Sequence, residues 1–210
     1  MLKFKAFSLL ETCFVLIIIG ILTSVLVPLL KQTLSYKRRL DTQAKQETLM
    51  KILAQSNFVY PHQETFGSGG MKVGRVPTEA LGIPSEWARD GYGYYFTYIF
   101  SQESMVLWES GKEVPVNVLL ISHGPEGSGA FGEDGTRRPV GAGYSPDKAR
   151  NAGAGGIYVK RPFSLKAGDK FDDLVYAGTK KGLQALYGTP GESSKNEGKR
   201  YAGPTLLKAS

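Results

Sequence analysis

The chain has 210 residues, enough for one domain beside an anchoring segment, and carries a formal net charge of +7 from 26 basic and 19 acidic residues. The acids are interleaved with the bases, which is the pattern of a solvated surface; a DNA-binding role would need them gathered on one face. A single cysteine, Cys13, excludes an intrachain disulfide, and no Cys/His spacing suits a structural zinc site, with His62 and His123 far apart.

In chain order, the first element is an apolar run from Phe7 to Leu30. It is long enough to cross a hydrocarbon core, which takes roughly 20 helical residues. A secretory signal has a shorter apolar core followed by a small-residue cleavage site, and no such site follows here, so the run is predicted to be retained as an anchor. Glu11 lies a few residues inside it, and two readings fit: a functional intramembrane carboxylate, or a side chain near the membrane edge that reaches water. Pro28 stands late in the same helix, where a missing N–H favours a kink or local melting, although membrane helices tolerate proline. A short basic leader with Lys3 and Lys5 precedes the run and ends at the small residue Ala6.

The run Lys5-Ala6-Phe7-Ser8-Leu9-Leu10-Glu11 resembles the processing site of type IV prepilins and type II secretion pseudopilins. The resemblance implies a leader of residues 1–6, cleavage by a prepilin peptidase between Ala6 and Phe7, and N-methylation of Phe7. Counted from Phe7, Glu11 is the fifth residue and Pro28 the twenty-second, the positions of the family's glutamate and helix-breaking proline. Alanine stands before the cut where the family mostly has glycine. The implied partners are other pilin-like subunits packed through the N-terminal helix, the peptidase and an inner-membrane assembly platform. The implied location is the bacterial inner membrane, single-pass, with the head in the periplasm or outside the cell in a pilus. The flanking charges point the other way: Lys31, Lys37, Arg38 and Arg39 outnumber Lys3 and Lys5, and the positive-inside rule alone would put the far side in the cytoplasm.

Beyond Leu30, Leu34, Tyr36, Leu40, Ala44, Leu49, Ile52 and Leu53 recur at helical spacing without Pro or Gly, which predicts an amphipathic extension over residues 31–56. Residues 57–187 read as a β-rich head, with Asn57 to Arg89 irregular. Strands are predicted at Gly93–Phe100, Ser104–Trp108 and Val116–Ser122. The tyrosines and phenylalanines of residues 92–100 fit either a stacking face for carbohydrate or bases, or the buried side of a sheet laid on the helix. Residues His123–Phe131 make a glycine-rich turn without the lysine of a phosphate loop. That turn resembles the loop after the central strand of pseudopilins, and Phe171–Tyr176 resembles the final strand of such heads. Residues 188–210 read as a mobile tail.

The predicted class is therefore α+β, a long N-terminal helix packed on a small antiparallel sheet. Major pseudopilins hold calcium through loop oxygens, so Glu126, Glu133 and Asp134 are candidate ligands, with Asp147, Asp172 and Asp173 as further acids, though no EF-hand spacing joins them. Ser122 and His123 are adjacent on a strand and face opposite sides, which argues against a nucleophile and base pair. No catalytic residue and no cofactor is expected. The competing reading is a membrane-anchored periplasmic binding protein or enzyme that uses residues 7–30 only as an anchor; DNA is a further possible partner if the filament serves DNA uptake.

Overall fold

The computed structural model describes residues 9–66, 70–164, 166 and 168–188 of the chain. Helix α1 (Leu9–Gln55) is one continuous element of 47 residues, roughly 70 Å long at about 1.5 Å per residue. Leucine, isoleucine and valine fill its first half, and Pro28 does not end it. Around the proline, hydroxyls turn back onto helix carbonyls: Thr23 Oγ1 donates to Ile19 O at 2.7 Å and Ser24 Oγ to Ile21 O at 2.7 Å, an arrangement that suits an apolar environment where each polar group needs a partner on its own helix. The helix stops where Asn57 and Phe58 both take left-handed φ values of 56° and 57°. There the Phe58 N–H returns to Leu53 O at 2.8 Å, and the Phe58 ring drops into the core to stack on Phe100.

The head is a six-stranded sheet. The strands β1 (His62–Phe66), β2 (Lys72–Arg75), β3 (Thr97–Glu109), β4 (Lys112–Ser122) and β6 (Leu174–Gly178) run antiparallel in the order β1-β2-β3-β4-β6. Strand β5 (Ile157–Lys160) pairs parallel to β3. Strand β3 is long enough to have two neighbours on one edge, β2 along residues 97–100 and β5 along residues 106–109. It turns into β4 through Ser110 and Gly111, both at positive φ, the two-residue geometry that matches strand twist. Pro115 sits in β4 beyond the reach of β6, which begins pairing at Val118, so its missing N–H leaves no ladder bond unmade on that side. Short helices α2 (Thr78–Leu81), α3 (Pro146–Ala152) and α4 (Lys180–Tyr187) and a 3-10 turn at Ser85–Ala88 decorate the sheet.

Alternation along β3 and β4 divides the core in two. Tyr98, Phe100, Val118 and Leu120 meet Leu49, Met50 and Leu53 of α1 and Leu183 of α4, while Ile99, Leu119 and Ile121 meet Met71, Phe131 and Tyr158 on the opposite face. The predicted helix stripe needs correction at its outer end. Leu34, Tyr36 and Leu40 remain exposed, and the buried line is Thr42, Gln46, Leu49, Met50, Leu53 and Ala54. The head begins on the helix at a polar contact: Gln46 Nε2 donates to Leu120 O and Leu174 O at 2.9 and 2.8 Å. Beside it, Gly91 packs so tightly that a Cβ there would lie 2.3 Å from Arg38 O. The Gly91 N–H also donates to Thr42 Oγ1 at 2.9 Å.

Two strands predicted separately, at 93–100 and 104–108, are one strand β3 with a register irregularity between Phe100 and Met105. Its upstream tyrosines lie outside it, because Gly93 at φ 90° turns the chain. The segment read as irregular, Asn57 to Arg89, contains β1 and β2. The aromatic run belongs to the core: Phe96, Tyr98 and Phe100 are buried, and burial pushes the Tyr98 hydroxyl well above its usual range.

Candidate functional site

The first candidate is the bare half of α1. From Leu10 to Arg38 every residue is exposed, including Phe14, Ile17, Leu22 and Leu26. It is the one helix among the described residues that is long and apolar enough to cross a membrane. An apolar surface of that extent does not stay in water; it is covered by lipid or by protein. Glu11 lies in the first turns of this half and Pro28 about 25 Å further along the axis. Cys13 is exposed on the same stretch. The predicted leader, residues 1–6 ending at Ala6, and the predicted mature start Phe7 lie outside the described residues, as does the predicted tail from residue 189 onward.

Where the bare half meets the head, Ser35, Tyr36 and Arg39 of α1 and Tyr92, Phe163, Asp172 and Leu174 of the head line a cleft of about 160 Å³. The Arg39 guanidinium stands 5.8 Å over the Phe163 ring. A second cleft of about 240 Å³ is lined by His62, Arg75, Thr78, Glu79 and Tyr95 among others.

The second candidate is a buried cluster of charge behind β4. Helix α3 starts at Ser145, whose side chain caps the Lys148 N–H, with Pro146 in the first turn. That start aims Lys148 and Asn151 inward, and both are completely buried. Lys148 Nζ contacts Asp172 Oδ1, donates to Asp173 Oδ1 at 2.7 Å and donates to the His123 carbonyl at 2.9 Å. Asn151 Nδ2 donates to Asp173 Oδ2 and to Val159 O, both at 2.9 Å, and Asn151 Oδ1 accepts from the Val159 N–H at 2.8 Å. The cluster thus ties α3 and β5 to the segment that enters β6.

Two carboxylates face one ammonium, and their environments push them apart. Burial would lift Asp173, but His123 and Lys148 outweigh it and hold its carboxyl below the usual carboxylate range. Burial lifts Asp172 above that range despite Lys148. Burial lowers Lys148, and the two aspartates more than reverse it.

His123 Nε2 and Thr97 Oγ1 are 2.8 Å apart, and His123 Nδ1 lies 3.6 Å from Asp173 Oδ1. The order Thr–His–Asp resembles a nucleophile relay on paper. Thr97 and His123 are both completely buried, however, and neither of these two clefts is lined by them, so the hydroxyl is shielded from solvent. Ser122 turns the other way, donating to Asp90 Oδ2 at 2.6 Å, as the alternation of the strand predicts.

The candidate calcium ligands are not brought together. Glu126 pairs with Lys170 and the Tyr144 hydroxyl, contacts that hold its carboxyl below the usual range. Glu133 pairs with Arg89, and Asp134 closes its own turn by accepting from Thr136 N and Oγ1 at 3.0 and 2.8 Å. Among the described residues no three His, Cys, Asp or Glu side chains are gathered as a metal site would need. Asp172 and Asp173 converge, and the cation between them is Lys148 from the chain itself. The sequence signal for that lysine was the Ser145-Pro146-Asp147 helix start, which sequence reasoning passed over.

No protein-family model matches the chain, and no curated protein or solved structure matches it either.

Proposed function

We propose that the chain is a structural subunit of a type IV pilin-like filament, either a pilus or a secretion pseudopilus, held in the inner membrane by α1 before assembly and packed through α1 after it. The observation that carries this reading is the division of one unbroken helix: an apolar half that its own head leaves uncovered, and a second half on which the head is docked from Thr42 onward. A helix used only as an anchor for an enzyme or binding protein needs no such rigid continuation into the fold. In a filament the same apolar surface that faced lipid faces the helices of neighbouring copies.

In this account a prepilin peptidase cuts between Ala6 and Phe7, and the freed, methylated amine of Phe7 is a cation at the edge of an apolar helix. Glu11, four residues on, supplies the anion. Helices that shift along one another bring Glu11 of one copy to the Phe7 amine of the next. In a dry bundle the pair sets the register, because a charge left without a partner there costs several kcal/mol. Apolar contacts supply adhesion and the ion pair supplies position. The inner-membrane platform delivers the subunit with its head on the periplasmic side.

Glu11→Ala separates the readings. It should enter the membrane at the wild-type level and reduce filament yield by about tenfold or more, since one lost tenfold corresponds to only about 1.4 kcal/mol per contact. Equal filament yield from the variant would favour the simple anchor.

A further inference from the structure

The buried lysine behind β4 is placed for covalent chemistry rather than only for an ion pair. Its amine touches the carboxyl of Asp172, and a second carboxylate, Asp173, stands 2.7 Å from the same nitrogen. All three side chains are wholly shielded from solvent. Asp172 is bonded on one side only: Oδ1 meets Lys148, while Oδ2 is buried with no hydrogen-bond donor among the described residues. A buried carboxylate oxygen without a donor is costly, and here it is the atom that a condensation would remove. Gly124 stands directly against this carboxyl; a Cβ there would lie 2.7 Å from Asp172 Cγ, so a glycine closes the site without crowding the carbon.

We infer that Lys148 and Asp172 condense to an isopeptide bond, with Asp173 as the proton carrier. Asp173 takes a proton from the Lys148 ammonium, and the freed nitrogen lone pair adds to Cγ of protonated Asp172. Asp173 then gives its proton to the departing hydroxyl, which leaves as water, and takes back the proton lost from nitrogen. One C–N bond forms and one C–O bond breaks. One water is released, Asp173 ends protonated, and no oxidant, reductant or cofactor takes part. Burial favours the protonated form of Asp172 that the reaction needs. The two aspartates favour the charged amine, so the first proton transfer is uphill. The reaction happens once per chain in a site closed to water, and a slow step suffices. Its product replaces an ammonium and two competing carboxyls with a neutral amide and a neutral acid, which removes the buried charge that is expensive to keep. The bond would close a loop from α3 to the start of β6 and fasten β5, which is held to the sheet at one edge of β3, to the strand beside β4. It does not depend on the filament reading.

The test is a tryptic peptide map of the full-length protein, purified and denatured. The expected result is one branched peptide joining the segment through Lys148 to the segment that begins at Phe171, lighter than the two together by one water, about 18 Da. Trypsin should leave the acylated Lys148 uncut, and fragmentation should place the branch at Asp172. Lys148→Arg should restore two separate peptides, and Asp173→Asn should slow bond formation by about 100-fold or more. Two separate wild-type peptides at full mass would overturn the inference, as would a branch at Asp173 or an Asp173→Asn variant that condenses at the wild-type rate.

Discussion

At the scale of single residues, Asp90 shows how a buried polar group can shape the head. Its Oδ1 accepts from the N–H groups of Tyr92 and Tyr94, both at 2.9 Å, and its Oδ2 accepts from Ser122 Oγ, so one carboxyl shapes the turn that presses Gly91 onto α1. Burial lifts its pKa above the ordinary value, and those hydrogen bonds recover only part of the shift. For an acid with a raised folded-state pKa, the folded protein binds the proton more tightly than the unfolded chain. Its contribution is therefore favourable at low pH and is lost as pH climbs from the unfolded value of about 3.9 through the folded one. Asp90→Asn keeps the Oδ1 acceptor and removes the titration. Urea midpoints measured in detergent at pH 3.5 and pH 7 should show the variant gaining on the wild type at the higher pH; a difference that stays constant between the two would contradict the assignment.

At the scale of elements, the joint between α1 and the sheet decides where the free helix ends. Gln46 is buried on the helix, and its amide satisfies carbonyls from both β4 and the start of β6. Replacing it by leucine removes the amide donor from one buried and one part-buried carbonyl, at roughly 1–2 kcal/mol each. Gln46→Leu should therefore destabilise the head by about 2–4 kcal/mol while its membrane insertion is unchanged, read as a lower urea midpoint with the same slope. A loss below about 0.5 kcal/mol would mean that the joint rests on apolar packing alone. This joint was not legible in the sequence. The period of Leu34, Tyr36 and Leu40 continued the helical pattern, but the surface that buries a helix comes from distant strands, and the buried line is led by Thr42 and Gln46, which hydropathy ranks as exposed. The same limit hid β1, β2 and β5, each four or five residues long, where pairing with a neighbour, β2 for β1 and β3 for β2 and β5, rather than local preference makes the strand. By contrast the second half of β4 was plain from residues 116–122, because a strand buried on both faces reads as a dense apolar run, here Val118 to Ile121, while its exposed first half from Lys112 was not.

At the scale of the whole molecule, two very different surfaces share one helix, and that much was written in the sequence: an apolar stretch too long for a signal core, continued by a polar helix, then a glycine-punctuated head. The cluster around Lys148 was not readable, since its members come from the β4 exit, α3 and the β6 entrance and meet only in three dimensions. On the proposed filament reading, those two features divide the load, with cohesion between copies placed in the bare half of α1 and cohesion within a copy placed in the head. The central claim is that the bare half is a processed assembly helix and not a plain anchor. Mass spectrometry of the N-terminal peptide from protein made in its native host tests this most directly. The account predicts a chain that starts at Phe7 with a methylated amine; a chain that retains Met1 through Ala6, with an unmodified Phe7 still inside the polypeptide, would contradict it.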